Sequence, residues 1–235
     1  TAQAARRTVA HDGGHYTVVV PWRFDLTSAR VLGVCTFLGA YALYLSTASG
    51  CFAPDDSPWM IAAMAGLEPQ HPPGYPFFTL LGRAWLTLPL GGPGYRTALL
   101  AVMLMALTTT MAGTLARDLA VRSGGSPAVA QVAGAVMLTV AWTAWSQALT
   151  AKGGVYGLNL VFVLFLALAA IRGRSGPLEA GLTTGLGLAH HWMSIVITAP
   201  LLLIPLLSVA GWRRRAARAT VFAILLFIRR FHVPT

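Results

Sequence analysis

Charge is what this sequence lacks. Only 10% of its 235 residues are Asp, Glu, Lys or Arg, and 56% are hydrophobic. A soluble domain usually carries about 25% charged residues, so a soluble fold of ordinary composition is excluded. Cysteine is nearly absent too. Cys35 falls inside the first apolar run and Cys51 just beyond its outer end; a helix between them would separate them by about 24 Å, too far for a disulfide. Lysine occurs once, at Lys152. The opening residues are not expected to act as a cleavable signal peptide, because about thirty mixed residues precede the first apolar run. There is no phosphate-binding glycine loop, no zinc-ligand spacing and no nucleophile elbow.

What the sequence does have is long apolar runs. Several stretches of about 17 to 25 residues contain no acid or base, and about 20 apolar residues at roughly 1.5 Å per residue span a bilayer core. Only helices or closed barrels satisfy their backbone there. The runs are continuous rather than alternating, which selects helices. The formal net charge of +10 would suggest nucleic acid in a soluble protein, but the placement of the arginines argues otherwise. Arg6, Arg7, Arg23 and Arg30 precede the first run, Arg117 and Arg122 follow the second, Arg172 and Arg174 come two spans later, and Arg213, Arg214, Arg215 and Arg218 two spans later again. Basic residues thus recur at every other loop, as the positive-inside rule predicts, and no nucleic-acid partner is expected.

The runs predict an all-α polytopic transmembrane bundle of six to seven spans: 30–48, 96–116, 127–149, 155–171, a short helix at 178–191, 193–211, and a seventh opening near Ala219. Residues 1–29 read as a cytoplasmic tail with one short amphipathic segment, 30–228 as the membrane domain, and 229–235 as a truncated end. The chain opens at Thr1 without Met, and both ends are read as incomplete. Residues 49–95 form a long outer loop with short interfacial helices. This topology puts that loop, the Lys152 turn and the His190-His191 pair on one outer face.

Candidate chemistry gathers on that face. Asp55 and Asp56 are adjacent carboxylates at the membrane edge, able to tune each other so that one acts as a base; equally, Asp before Ser57-Pro58 is a helix N-cap pattern. His71-Pro72-Pro73-Gly74-Tyr75-Pro76 is stiff, so it either holds His71 and Tyr75 over a cavity or merely redirects the chain. His190 and His191 are consecutive, so on a helix their side chains diverge by about 100°. They are not expected to share a metal; one faces the cavity and the other the headgroups. Tyr156 and Asn159 lie one turn apart on one face, as a packing pair or as ligand contacts. Lys152 reads as an interfacial anchor or as an attractor of phosphate. Trp142 and Trp145 read as an aromatic belt.

Taken together, these segments resemble a family of type C (GT-C) glycosyltransferases that includes a vertebrate transmembrane protein O-mannosyltransferase and many bacterial members. Asp56-Ser57 stands fifteen residues before His71-Pro72-Pro73-Gly74-Tyr75-Pro76, followed by Leu81-Gly82-Arg83, as in that family's first outer loop. Trp145-Ser146-Gln147, Val155-Tyr156-Gly157-Leu158-Asn159 and Gly185-Leu186-Gly187-Leu188-Ala189-His190-His191 are similar to its later segments. The likeness covers about residues 30–205. Two departures stand out: the family's Gly-Glu after Asp-Ser is Pro58-Trp59 here, and its acid before Val-Tyr is Gly154.

The resemblance implies a GT-C-like bundle in a bacterial plasma membrane with a cytoplasmic N-terminus. It implies transfer of a sugar from a polyprenyl-phosphate donor in the bilayer to a protein or glycan acceptor on the extracytoplasmic face. Asp56 would be the base, with Asp55 next in line. His71, Lys152 and His190 would neutralise the leaving phosphate, and Tyr75 and Tyr156 would line the sugar or lipid pocket. A divalent metal is the one cofactor left open. Two rival classes remain: a transporter or flippase of a lipid-linked substrate, disfavoured because the spans carry no mid-membrane acid or base, and a non-catalytic assembly subunit, which Pro58 and Trp59 keep in contention.

Overall fold

The computed structural model describes residues 5–11, 14–20, 26–48, 55–70, 74–172, 177–207 and 220. Eight helices lie among them: α1 (Leu26–Thr47), α2 (Ser57–Gly66), α3 (Pro76–Leu86), α4 (Pro93–Ser123), α5 (Pro127–Val140), α6 (Trp142–Ala148), α7 (Ala151–Arg172) and α8 (Pro177–Leu207). Prolines open α2, α3, α4 and α5, each within the first two helical positions. There the missing N–H costs nothing and the fixed φ already suits a helix. Gly124, in the left-handed conformation, ends α4 (φ 75°).

One element was not expected. The N-terminal segment read as a tail contains two antiparallel strands, β1 (Ala5–His11) and β2 (Gly14–Val20). The register places His11 opposite Gly14, so only Asp12 and Gly13 join them. Asp-Gly between β-branched runs is a strong hairpin signal, and the tail reading passed over it. The other described elements are helices.

α4 is the central helix. It packs against α1, α5 and α7, and side chains from Thr97 to Thr109 are buried on most of its circumference. Close approach is bought with small residues: a Cβ at Gly134 would stand 2.8 Å from the Ala116 methyl, so α4 and α5 touch nearly backbone to backbone. Two apolar clusters flank α4. One joins Met60, Met64 and Phe78 of α2 and α3 to Leu100, Leu104, Val155, Leu158, Phe162 and Ile195. The other joins Ala40 and Tyr44 of α1 to Val102, Met105 and Ala106 of α4 and to α6.

The outer surface is apolar. Val31, Val34, Leu38, Val129, Val136 and Met137 are each at least half exposed. In water such a surface would aggregate; in a bilayer it faces lipid. Among the described residues, α1, α4 and α7 are long and apolar enough to cross a membrane, and α5 with α6 passes the same test as a bent pair. The chain is an integral membrane protein with three to four spans in this part. The expected sixth span extends past 207, and of the seventh only Thr220 is described.

The bend corrects the continuous third span expected at 127–149. α5 and α6 meet at 66°, because Ala141 leaves the helical region (φ −62°, ψ 123°). The break frees carbonyls at the end of α5, and fully buried Tyr44 donates its hydroxyl to one of them, Thr139 O, at 3.1 Å. That contact explains how a helix end is tolerated inside the bundle.

The two expected helices 178–191 and 193–211 are both present as far as Leu207, the two halves of α8 meeting at a kink at His191 (φ −147°, ψ 78°).

Candidate functional site

α2 and α3 form a helical hairpin seated on α4 and α7. Gln70 Nε2 donates to Thr79 Oγ1 at 3.0 Å and Arg83 Nη1 to Ala65 O at 2.8 Å, tying the two helices together. Their preceding turns carry the candidate residues.

At the start of α2 the two adjacent acids have different jobs. Asp55 Oδ1 accepts the Ser57 N–H at 2.8 Å, a local cap. Asp56 occupies the N-cap position without a side-chain cap bond. Its Oδ2 instead accepts a hydrogen bond from Lys152 Nζ at 2.6 Å, across 96 residues of chain. Ser57 Oγ accepts the Lys152 backbone N–H at 3.2 Å. The first turn of α7 is thus fastened to the first turn of α2 by a side chain and a main chain together. Both charged side chains remain partly open, at 47% for Asp56 and 34% for Lys152, so a ligand can reach them.

Gly154 is buried next to this pair. A Cβ there would lie 2.7 Å from Phe78 Cζ, so the Phe78 ring fills the space that the acid of the resembling family would need.

The second turn, before α3, holds Tyr75 in the left-handed region (φ 39°, ψ 47°) between Gly74 (φ 96°) and Pro76. A tyrosine there is strained, and the conformation turns its ring onto α8. It lies 5.7 Å from the His191 ring in a stacked arrangement and 5.9 Å from the His190 ring, tilted. Burial pushes the Tyr75 phenol above its ordinary range; Tyr156 and Asp56 push the same way and Lys152 opposes them. Tyr75 is therefore a phenol, a hydrogen-bond donor, at neutral pH.

α8 kinks at His191, and both histidine rings pack on Tyr75. His190 is 1% exposed. Its Nε2 donates to Val155 O at 3.0 Å, with the Phe78 and Phe162 rings each 6.1 Å away. With one nitrogen committed to a carbonyl and aromatic rings around it, His190 sits where burial disfavours a charged imidazole. His191 Nδ1 lies 3.0 Å from Ser194 Oγ. Trp142 is 80% exposed, and Trp145 donates to Thr47 at 3.0 Å, binding the ends of α1 and α6.

Tyr156 is exposed at the same lip, and Asn159 lies one turn deeper on α7. Among the described residues, Asn159 Oδ1 and His190 Nδ1 are buried without a hydrogen-bond partner, an unusual state for polar atoms and one a ligand would relieve. His71 lies outside the described residues. Asp55, Asp56, Tyr75, Lys152, Tyr156, His190 and His191 converge at this lip. Sequence reading missed Phe78, Phe162 and the Val155 carbonyl, which only the packing of α3 on α7 and α8 reveals.

Among the described residues no three of His, Cys, Asp and Glu are grouped so as to hold a metal ion. Asp56 has an ammonium on one oxygen and Asp55 serves the backbone, so this donor set does not suit a divalent cation.

The family model described as the N-terminal domain of protein O-mannosyl-transferase TMEM260 matches residues 56–214, from Asp56 past His191. The protein O-mannosyl-transferase TMEM260 of Mus musculus is 33% identical over 153 residues, covering 65% of this chain and 20% of that protein. The chain thus spans about a fifth of that relative's length. No solved structure matches it. With a matched segment that spans well over half its length and contains every converging residue except Asp55, the chain belongs to the TMEM260 N-terminal domain family.

Proposed function

We propose that this chain is the donor-handling part of a membrane glycosyltransferase. It moves a hexose, mannose being the class the relative's name suggests, from a polyprenyl-phosphate donor to a hydroxyl of a protein or glycan acceptor on the extracytoplasmic face of a bacterial inner membrane, with the N-terminus cytoplasmic. The supporting observation is the Asp56–Lys152 pair, open to solvent at the end of a membrane-spanning helix and flanked by Tyr75 and Tyr156. A carboxylate and an ammonium are what such a transfer needs: one to take the acceptor proton, the other to meet the leaving phosphate.

In the resting site each neutralises the other. A donor phosphate drawn to Lys152 competes for the ammonium and frees Asp56 Oδ2. The acceptor hydroxyl then gives its proton to Asp56 as its oxygen bonds to the sugar C1. The bond from C1 to the phosphate oxygen breaks, and the electron pair leaves with the phosphate beside Lys152. Tyr75, kept as a phenol, donates a hydrogen bond to the sugar or phosphate. His190 holds the Tyr75 ring in place.

One observation favours a second reading, a non-catalytic subunit: Pro58-Trp59 replaces the Gly-Glu of the resembling family. A transfer assay with a polyprenyl-phosphate-linked mannose, run on the full-length protein, separates the two. Transfer abolished by Asp56→Asn supports the enzyme, whereas full transfer in that variant removes Asp56 from the mechanism. No transfer by the wild type favours the subunit.

A further inference from the structure

The opposite end of the bundle carries a second polar site. A cavity of about 830 Å³ opens between α1, α4, α5, α7 and the start of α8. Arg30, Arg117, Arg122 and Arg172 line it, against two carboxylates, Asp118 and Glu179. Asp118 is shared between two of the arginines, at 2.6 Å from Arg172 Nε and 3.3 Å from Arg117 Nη1. Four cations against two anions leave the described lining with a net positive charge of two. Arg122 spends one guanidinium N–H on the Ile171 carbonyl at the end of α7. The planar donor fork of arginine suits phosphate oxygens.

Two further observations shape the ligand. Gln131, 1% exposed, lies in the cavity wall. Its Nε2 donates to Ala29 O at 3.1 Å, while among the described residues its Oε1 has no partner. An unpaired buried acceptor beside a basic cavity calls for a ligand that brings a hydroxyl donor as well as an anion. Val121 and Phe165, on the same lining, are 52% and 37% exposed, an apolar flank on which a chain can lie. From Lys152 to Arg172 is about 30 Å along α7, so this site is a membrane thickness away from the Asp56–Lys152 pair.

We propose that this cavity binds a hydroxyl-bearing phosphate group, carried by a lipid headgroup or free in solution, at the face opposite the transfer site. The proposal does not rest on the transfer chemistry. Native mass spectrometry of the full-length protein in neutral detergent tests it with three probes: phosphatidylglycerol, phosphatidylcholine and inorganic phosphate. The wild type is expected to retain phosphatidylglycerol over phosphatidylcholine. The double variant Arg30→Gln, Arg122→Gln should lose at least about tenfold in that affinity, as expected for two charge-assisted contacts. The charge-keeping double variant Arg30→Lys, Arg122→Lys should lose less of it than the Gln variant while still falling below the wild type, which separates lost binding from lost folding. Asp56→Asn should bind like the wild type whatever its transfer activity. Retention of phosphate but not of phosphatidylglycerol, lost in the Gln variant, assigns the site to a free anion. Equal retention of the two lipids without phosphate binding, or unchanged binding in the Gln variant, overturns the proposal.

Discussion

Lys152 Nζ lies 2.6 Å from Asp56 Oδ2, joining the first turn of α7 to the first turn of α2 across nearly a hundred residues. With both side chains a third or more exposed, such a pair adds little to stability, about 0.2–1 kcal/mol. Its value is positional. Asp56→Asn should therefore unfold within about 1 kcal/mol of the wild type while losing about 10²–10⁴-fold in sugar transfer, the range for a general base. Lys152→Ala should lose about 10²-fold, the order for one group stabilising developing charge. Thermal unfolding in detergent alongside a transfer assay reads both. A large stability loss in either variant would recast the pair as structural.

The bend between α5 and α6 depends on Tyr44. Its hydroxyl serves Thr139 O in a fully buried setting. Tyr44→Phe keeps the ring and deletes the donor, leaving the carbonyl unsatisfied at a cost of about 1–3 kcal/mol. Equilibrium unfolding of the variant checks the value. Unchanged stability would mean that the freed carbonyl finds another partner.

How much of this was legible beforehand depends on which residues carry it. The apolar runs of α1, α4 and α7 announce themselves, because lipid imposes both length and composition. The grouping of Asp56, Lys152, Tyr75 and the histidines at one end followed from the same alternation of spans. The bend at Ala141 was not legible: no proline or glycine marks it, and its enabling contact comes from Tyr44, 95 residues away. The split between Asp55 as cap and Asp56 as cross-link was likewise open in sequence, since both acids suit either job. The packing of both histidine rings on Tyr75 was not legible either, since it joins the turn before α3 to α8 across more than a hundred residues. Asp12-Gly13 was the reverse case, a readable hairpin signal that was overlooked.

Gly154 shows why a departure from a resembling family can be coherent. Its missing side chain makes room for Phe78, whose Cζ and Cε2 would lie 2.7 and 2.9 Å from an added Cβ. Gly154→Ala should destabilise by about 1–3 kcal/mol through overpacking. In the Gly154→Ala background, Phe78→Leu should cost less than it does alone, since the smaller side chain relieves the clash while emptying its own space. A double-mutant cycle by chemical denaturation measures the coupling. Simple additivity would show that the ring moves aside freely.

Tyr75 gives the pH dependence. Its phenol is held above its ordinary value of 10.0, mainly by burial. The folded state therefore keeps this proton at pH values where the unfolded chain has released it. By linkage, the stabilisation is fully present below the unfolded value and is lost as pH rises through the folded one. Stability should be insensitive to Tyr75 below about pH 10, the ordinary tyrosine value, and should fall above it. Tyr75→Phe cannot ionise, so its stability curve should be flatter than that of the wild type on the alkaline side alone. Unfolding followed in detergent across the neutral-to-alkaline range makes the comparison. Parallel curves for the two proteins would place the Tyr75 hydroxyl in water rather than against the histidine rings, and with it would go the phenol donor assigned to the transfer step.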